Sequence, residues 1–177
     1  MPSSPTSAAG AADELDSLEL TDPHEQLRRL EITLPVPPAP VASYVPTVLV
    51  PIGDGRSLLY ISGQISTLDG KRLTGRCSDE VSVEDAQIAA RACGINLLAQ
   101  MEAAAGLKNV ERVAQLIAFV LSTPEFGDHP KVINAASDLL IDVLGEAGRH
   151  SRVALGAGSL PFSVTVEIAA VVVVRAR

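Results

Sequence analysis

The stretch that decides the fold is Arg152–Glu167, R-V-A-L-G-A-G-S-L-P-F-S-V-T-V-E. Two strand-like apolar runs flank a Gly-Ser-Leu-Pro segment, and runs joined by such a turn pair as a hairpin. We therefore predict a closing hairpin over Arg152–Ala176, with one arginine and one glutamate at its mouth. A charged side chain beside apolar surface is expected either to pair with an opposite charge or to take part in a functional site. Two interpretations stay open: an ion pair at the sheet edge, or a functional site built on Arg152 and Glu167.

The chain before this hairpin alternates strands with long helices. Two β-rich runs flank Gly-Asp-Gly-Arg, which is a hairpin signal. Ser82 and Asp85 then cap a helix that ends at Gly106, with apolar residues at spacings of three and four. The predicted order β-β-α-β-α-β-β indicates an α+β fold with two helices on one face of the sheet, and an apolar uncovered face would need a partner subunit. The predicted strands before the hairpin are Tyr44–Ile52, Ser57–Ser66 and Val110–Leu121, and the second long helix is Pro130–Leu144.

The N-terminal region differs in composition from the rest. Residues 1–21 are acidic and rich in Ser, Ala and Pro, which predicts a disordered tail. Asp22-Pro23-x-Glu25 is a helix start, because Asp caps and Pro fits the first helical position. Prolines at positions 35, 37, 38 and 40 then predict a stiff arm. Residues 22–40 are therefore a short helix and an arm, and residues 41–177 are the domain.

The charge distribution restricts the class of partner. The net charge is −7, and residues 1–31 contain seven acids and two arginines, a balance of −5. The other residues contain 14 acids and 12 bases, a balance of −2. A near-neutral domain without a basic run lacks the footprint of a nucleic-acid binder, which argues against nucleic acid as a partner. The apolar run Ile168–Val174 is too short for the roughly 20 residues of a membrane span, so no membrane association is predicted.

Several kinds of site are missing from the sequence. The three histidines are dispersed and the two cysteines, Cys77 and Cys93, have no metal-ligand spacing, so we predict no metal. No Walker motif, dinucleotide loop or nucleophile elbow occurs, so we predict no cofactor and no covalent nucleophile. So few cysteines, with no secretion signal at the start of the sequence, favour a reduced cytoplasmic location.

An ordered set of short motifs resembles the RidA (YjgF-type) family. Arg152 lies eight residues before Leu-Pro and fifteen before Glu167, a specific arrangement, whereas single pieces such as Ser-Gly-Gln are weak signals. The resemblance covers about residues 40–175. The motifs in chain order are Tyr44-Val45, Ile61-Ser62-Gly63-Gln64-Ile65, Asn96, Glu102 to Leu107, Asn134, Arg152, Leu160-Pro161 and Val166-Glu167-Ile168.

This resemblance implies a chorismate-mutase-like fold, a barrel-like homotrimer and clefts between subunits. It implies hydrolysis of reactive enamine or imine intermediates to 2-keto acids and ammonia, the activity of a 2-iminobutanoate/2-iminopropanoate deaminase. Arg152 would bind the substrate carboxylate, since a guanidinium donates two parallel hydrogen bonds, and Glu167 would hold the attacking water. The residues expected to contact the imino- or keto-acid ligand are Tyr44, Ser62, Gly63, Asn134, His150 and Ala154.

The sequence also departs from the family pattern. His150-Ser151 stands where the family often has Pro-Ala, and Ala154 stands where it often has Cys. The role proposed for that Cys in the family belongs to its backbone, so Ala154 can take the same role. His150 and Arg152 are two apart on a strand and share a face, so His150 either reaches the same anionic group or is a turn histidine. Asn96 is interpreted as a structural helix–sheet hydrogen bond. With the N-terminal extension, these features predict a divergent subgroup. Two other functions stay open: a non-catalytic sensor of small carboxylates and, with less support, an endoribonuclease or translation inhibitor.

Overall fold

The computed structural model describes residues 22–37 and 43–175. The predicted disordered tail over residues 1–21 lies outside this range, as do the arm residues 38–42. The start of the arm packs on the domain, since Ile32 and Leu34 contact the core.

A five-stranded sheet forms the centre of the fold, in the order β1-β2-β7-β5-β6. Neighbouring strands are antiparallel except β5 and β6, which are parallel. A two-stranded hairpin, β3 and β4, follows β2. The bounds are β1 Thr47–Gly53, β2 Arg56–Ile65, β3 Thr67–Leu68, β4 Lys71–Arg72, β5 Val110–Leu121, β6 Ser151–Ala157 and β7 Val166–Arg175.

Three α-helices accompany the sheet: α1 Pro23–Arg29, α2 Val83–Ala104 and α3 His129–Leu144. The predicted caps are confirmed, because the side chains of Asp22 and Ser82 accept hydrogen bonds from the first turns of α1 and α2. Apolar residues of α2 and α3 pack together over one face of the sheet, which confirms the predicted α+β arrangement. Among the described residues, no helix has the length and apolar character needed to cross a membrane.

The predicted hairpin over Arg152–Ala176 is wrong. β6 and β7 do not pair with each other, because β5 lies between them and bonds to both. Ile168–Val174 is apolar on both sides of the strand, which is typical of a central strand with neighbours on each edge. β6 instead alternates exposed and half-buried residues and lies at the sheet edge. The connection over residues 158–165 is long enough to pass the end of β5, where Leu121 N donates to Thr165 O.

The two faces of the sheet have different environments. On β7 the even-numbered residues, such as Ile168 and Val172, are buried under the helices, and the odd-numbered ones up to position 173 lie half-buried on the other face. We call that other face the open face. It is apolar but uncovered within one chain: Tyr60, Val153 and Leu155 are 46%, 40% and 51% exposed.

In the turn between α3 and β6, the backbone of Gly148 packs closely against the backbone of α3. A Cβ at Gly148 would lie 2.6 Å from the carbonyl carbon of Leu140 and would overlap its oxygen. Because backbone atoms cannot rotate away, we expect Gly148→Ala to lower the free energy of unfolding by about 1–3 kcal/mol, the usual size of overpacking. Chemical denaturation followed by circular dichroism measures this change. Gly127→Ala is the matched control, since its Cβ would enter open space, and we expect it to stay within about 0.5 kcal/mol. Equal midpoints for the two variants would contradict the packing described.

Candidate active site

The eight predicted site residues fall into two groups of four. The first group surrounds Glu167 on the open face, and we call it the Glu167 cleft. The second surrounds Arg152 beneath α3, and we call it the Arg152 cluster. The Glu167 cleft contains Tyr44, Ser62, Gly63 and Glu167, and the Arg152 cluster contains Asn134, His150, Arg152 and Ala154.

Glu167 is a carboxylate on an otherwise apolar strand face. It lies opposite Ile65 of β2 and Phe119 of β5 in the sheet register. Because burial disfavours the charged form, the pKa of Glu167 is raised above its ordinary value. Gly63 makes room for this carboxylate, since a Cβ there would overlap Glu167 Oε1. A larger residue at position 63 of β2 would therefore displace the Glu167 carboxyl from this position.

The cleft around Glu167 has a volume of about 1870 Å³. Tyr44 is 46% exposed on its wall, and Ser62 Oγ lies 2.9 Å from the carbonyl oxygen of Val45, to which it donates. The N-terminal arm, the β3–β4 hairpin and Phe162 form the other walls. The Arg72 guanidinium carbon lies 3.9 Å from the centre of the Phe162 ring. The raised-pKa carboxyl of Glu167, the hydroxyls of Tyr44 and Ser62 and the guanidinium of Arg72 thus line one cleft.

Asn96 fixes the wall of the cleft. Its Nδ2 donates to the carbonyl oxygens of Ile65 and Thr67, at 3.2 and 3.1 Å. These contacts join α2 to the end of β2 and to β3, which confirms the structural interpretation of Asn96.

Arg152 lies on the helix-facing side of β6, where its register partner is the buried Leu116. Its Nη1 donates to Ser137 Oγ at 2.8 Å, and its Nη2 donates to Asn134 Oδ1 at 2.7 Å and to Pro130 O at 3.1 Å. These three bonds use three of the five guanidinium N–H donors. Within the described part of the chain the Nε–H and one Nη1–H have no acceptor, and these two donors point to different sides of the guanidinium.

His150 shares this face with Arg152, as predicted, but both ring nitrogens contact protein groups. Nδ1 lies 2.6 Å from Gly148 O, and Nε2 lies 3.0 Å from Ser137 Oγ. Burial lowers the pKa of His150, the Gly148 hydrogen bond opposes that shift, and the nearby Arg152 charge adds to it. Ala154 is half-buried two residues after Arg152 on the same side of β6. His150 therefore lies beside the arginine and is held by the protein itself.

Arg152 and Glu167 lie on opposite faces of the sheet and do not pair. The ion-pair interpretation fails because Arg152 belongs to the helix-facing row of β6, whereas Glu167 belongs to the open-face row of β7. The described partners of Arg152 are neutral acceptors. One chain therefore presents two separate groups, each with one charged residue.

Ser137 is a site residue that the sequence reasoning missed. It is 8% exposed and contacts both Arg152 and His150. The available signal was its spacing from Asn134, because residues three apart share a helix face. In residues 22–37 and 43–175, no three His, Cys, Asp or Glu side chains form a group that could hold a metal ion.

The raised pKa of Glu167 predicts a stability change of definite sign. The folded state disfavours the ionised form, so Glu167→Gln should raise the free energy of unfolding at neutral pH. That gain should shrink as the pH falls through the raised pKa, because the wild-type carboxyl then becomes neutral. Thermal melts across a pH series measure both effects. A wild type more stable than Glu167→Gln at neutral pH would contradict the burial of this charge.

Glu111→Gln is the control of opposite sign. Arg175 and Arg56 lie 2.6 and 2.7 Å from the Glu111 carboxylate and lower its pKa. This variant should therefore be less stable than the wild type at neutral pH. The difference should fade in acid, as Glu111 of the wild type takes up its proton below the ordinary value.

Comparisons with known proteins agree with this fold. The sequence model of the family described as "YjgF/chorismate mutase-like, putative endoribonuclease" matches residues 26–172. Protein TCP17 of Trypanosoma cruzi is 42% identical over 149 residues, which is 82% of this chain and 90% of that protein.

Two solved structures give the same result. The crystal structure of protein Atu1372 of Agrobacterium tumefaciens, whose function is unknown, is 44% identical with a TM-score of 0.76, over 86% of this chain and 92% of that one. A protein of Shewanella oneidensis, described as a candidate endoribonuclease, is 28% identical with a TM-score of 0.78, over 86% of this chain and 99% of that one. With a family match across most of its length and these relatives, the chain belongs to the YjgF/chorismate-mutase-like family.

Proposed function

We propose that this protein hydrolyses enamine or imine intermediates to 2-keto acids and ammonia. The observation that carries the proposal is the pair of half-sites. One is an arginine whose Nε–H and one Nη1–H have no acceptor within the described residues, and the other is a carboxyl of raised pKa in a cleft that the Tyr44 and Ser62 hydroxyls also line. A 2-imino acid has the complementary groups, since its carboxylate suits Arg152 and its imine carbon needs a water and a proton donor. The RidA-like order of the motifs supports the same reaction.

The chemistry needs only positioned charges, water and proton transfer. Arg152 holds the substrate carboxylate through charge-assisted hydrogen bonds. Glu167 takes a proton from water as the water oxygen bonds to the imine carbon, the C=N electron pair moves to nitrogen, and Glu167 returns that proton to the nitrogen to give a carbinolamine. Glu167 then carries the carbinolamine hydroxyl proton to the nitrogen. The C=O bond forms as the C–N bond breaks and ammonia leaves. A carboxyl with a raised pKa suits both proton steps, because general acid–base catalysis is most effective near the working pH.

The site would be completed by a second copy of the chain in a homotrimer. Arg152 and Glu167 are on opposite faces of one sheet, so a ligand the size of a small imino acid cannot touch both within one chain. The open face supports the assembly, because its exposed apolar residues, among them Tyr60 and Leu155, need cover. Light scattering should give a mass of about three chains.

Two alternatives have different requirements. A non-catalytic carboxylate sensor would need only the Arg152 cluster, and tight keto-acid binding without imine turnover would favour it. A ribonuclease, the activity in the family description, would need a cationic surface for phosphates. The near-neutral balance outside residues 1–31 argues against that activity.

Removal of the Arg152 guanidinium should abolish the reaction. We expect Arg152→Ala to lower kcat/KM by about 30- to 5000-fold, because loss of a charged partner costs roughly 2–5 kcal/mol of binding. The assay is accelerated decay of 2-iminobutyrate generated in place by a dehydratase. Arg149→Ala is the matched control, since Arg149 is exposed and pairs with Glu146 at the surface. Unchanged turnover in Arg152→Ala would exclude Arg152 as the residue that binds the substrate carboxylate, and no acceleration by the wild type would exclude the proposed reaction.

Mixed assemblies test whether the two half-sites come from different chains. Arg152→Ala and Glu167→Gln should each be inactive, but a chain of the first kind supplies Glu167 and a chain of the second supplies Arg152. In mixed trimers purified through both tags, one site of each ring should combine an intact Arg152 with an intact Glu167, which gives about a third of the wild-type activity if each site joins neighbouring chains in a closed ring. Co-expression with two tags, mass spectrometry of the purified mixed oligomer and the imine assay measure this. Verified mixed oligomers without activity would place both residues in sites within one chain.

A further inference from the structure

A chain of hydrogen bonds runs from Arg152 through Ser137 and His150 to the backbone at Gly148. The distances are 2.8 Å from Arg152 Nη1 to Ser137 Oγ, 3.0 Å from Ser137 Oγ to His150 Nε2, and 2.6 Å from His150 Nδ1 to Gly148 O. Ser137 is nearly buried and His150 half-buried, so protein surrounds the inner part of this chain.

The direction of every bond follows from the groups involved. A carbonyl oxygen only accepts, so His150 Nδ1 must carry the proton that Gly148 O receives. In a neutral ring, Nε2 is then a bare acceptor, and Ser137 must donate its hydroxyl proton to it. The Ser137 oxygen is left to accept from Arg152 Nη1, which only donates. Burial and the Arg152 charge both lower the pKa of His150, which favours this neutral ring.

We propose that Ser137 and His150 are positioning residues that fix the Arg152 guanidinium for an incoming carboxylate. The assignment rests on the proposed function of Arg152 but adds two residues to that site. Neither is placed to touch substrate, because each polar atom of both side chains is already engaged. Their effect is on geometry: an arginine on an edge strand has many rotamers, and ordering it before binding removes that entropic cost from the binding step.

The end of this hydrogen-bond series at Gly148 is held by packed backbone, as residues that position Arg152 require. Gly148 closes the short helical turn Gly145–Gly148 and lies against the backbone of α3 at Leu140. Ser137 is on α3 itself, one turn from Asn134, which binds the other guanidinium nitrogen. Both nitrogens of the guanidinium end are therefore tied to one helix, and the remaining donors are available to a ligand.

Imidazole ¹⁵N NMR of the full chain tests the bond directions without any activity. Assignment by His150→Gln identifies the ring among the three histidines. We expect the Nδ1–H tautomer at neutral pH and a pKa below the ordinary value. Arg152→Gln should raise that pKa, because Arg152 is the charged group that acts on the ring. An Nε2–H tautomer of His150 at neutral pH would contradict the proposed directions of these hydrogen bonds.

Binding of 2-oxobutyrate, measured by calorimetry, tests the positioning role. Ser137→Ala and His150→Leu should each weaken binding about tenfold, the size of one charge-assisted hydrogen bond. His150→Gln should recover most of the affinity, because its side-chain oxygen can accept the Ser137 proton in place of Nε2. In the imine assay, Ser137→Ala and His150→Leu should raise KM more than they lower kcat, since the water and Glu167 are untouched.

The outcomes separate this inference from the proposed function. If Arg152→Ala loses 2-oxobutyrate binding while folded Ser137→Ala and His150→Leu bind with wild-type affinity, the proposed function stands and the positioning role is overturned. If Arg152→Ala binds as the wild type does, the carboxylate-binding role of Arg152 fails, and the positioning role fails with it, whereas the proposed function fails if the wild type does not accelerate imine decay. Loss in His150→Gln equal to that in His150→Leu would overturn the role of the Nε2 acceptor.

Discussion

The structure depends on the burial of β7 between β2 and β5. This strand is apolar on both faces and hydrogen-bonded along both edges, so its position sets which residues lie under the helices and which lie on the open face. Glu167 is the second residue of this strand and the only charge among its half-buried open-face residues. Its unfavourable placement is therefore a direct consequence of the strand that organises the core.

The cost of that placement would be useful to the proposed reaction. An ionised carboxyl on apolar surface is disfavoured, and the same desolvation that opposes folding raises the pKa of Glu167. Gly63 adds a second cost, because a strand glycine packs nothing, yet a larger residue there would displace the carboxylate. Two unfavourable choices at adjacent strands are expected where function, and not stability, determines the residues.

Residues close together in the sequence predicted the helices and strands. The strand order could not be predicted, because it depends on pairing between strands that are far apart in the sequence. Helix caps at Asp22 and Ser82 and the strand Val110–Leu121 follow from residues near in sequence. The pairing of β6 does not follow from nearby residues. A hairpin of β6 with β7 and a connection that passes β5 have the same local sequence pattern. They differ only in whether β7 or β6 has a neighbouring strand on both edges. The motif order, together with the strand spacing of His150 from Arg152, supplied the eight predicted site residues, but their division into two groups depends on which face each strand presents. The contact of Ser137 with Arg152 was not predicted, because a serine in a helix can have many structural roles.

The separation of Arg152 from Glu167 has a physical advantage. If the two shared one face, they would pair, the pKa of Glu167 would fall, and the arginine would lose the donors that a ligand needs. On opposite faces each keeps its own environment: neutral acceptors order Arg152, and apolar surface keeps the Glu167 pKa high. In the proposed assembly the two meet across a subunit boundary with substrate between them. The substrate carboxylate then faces Arg152, and Glu167 keeps its affinity for the proton that hydrolysis moves.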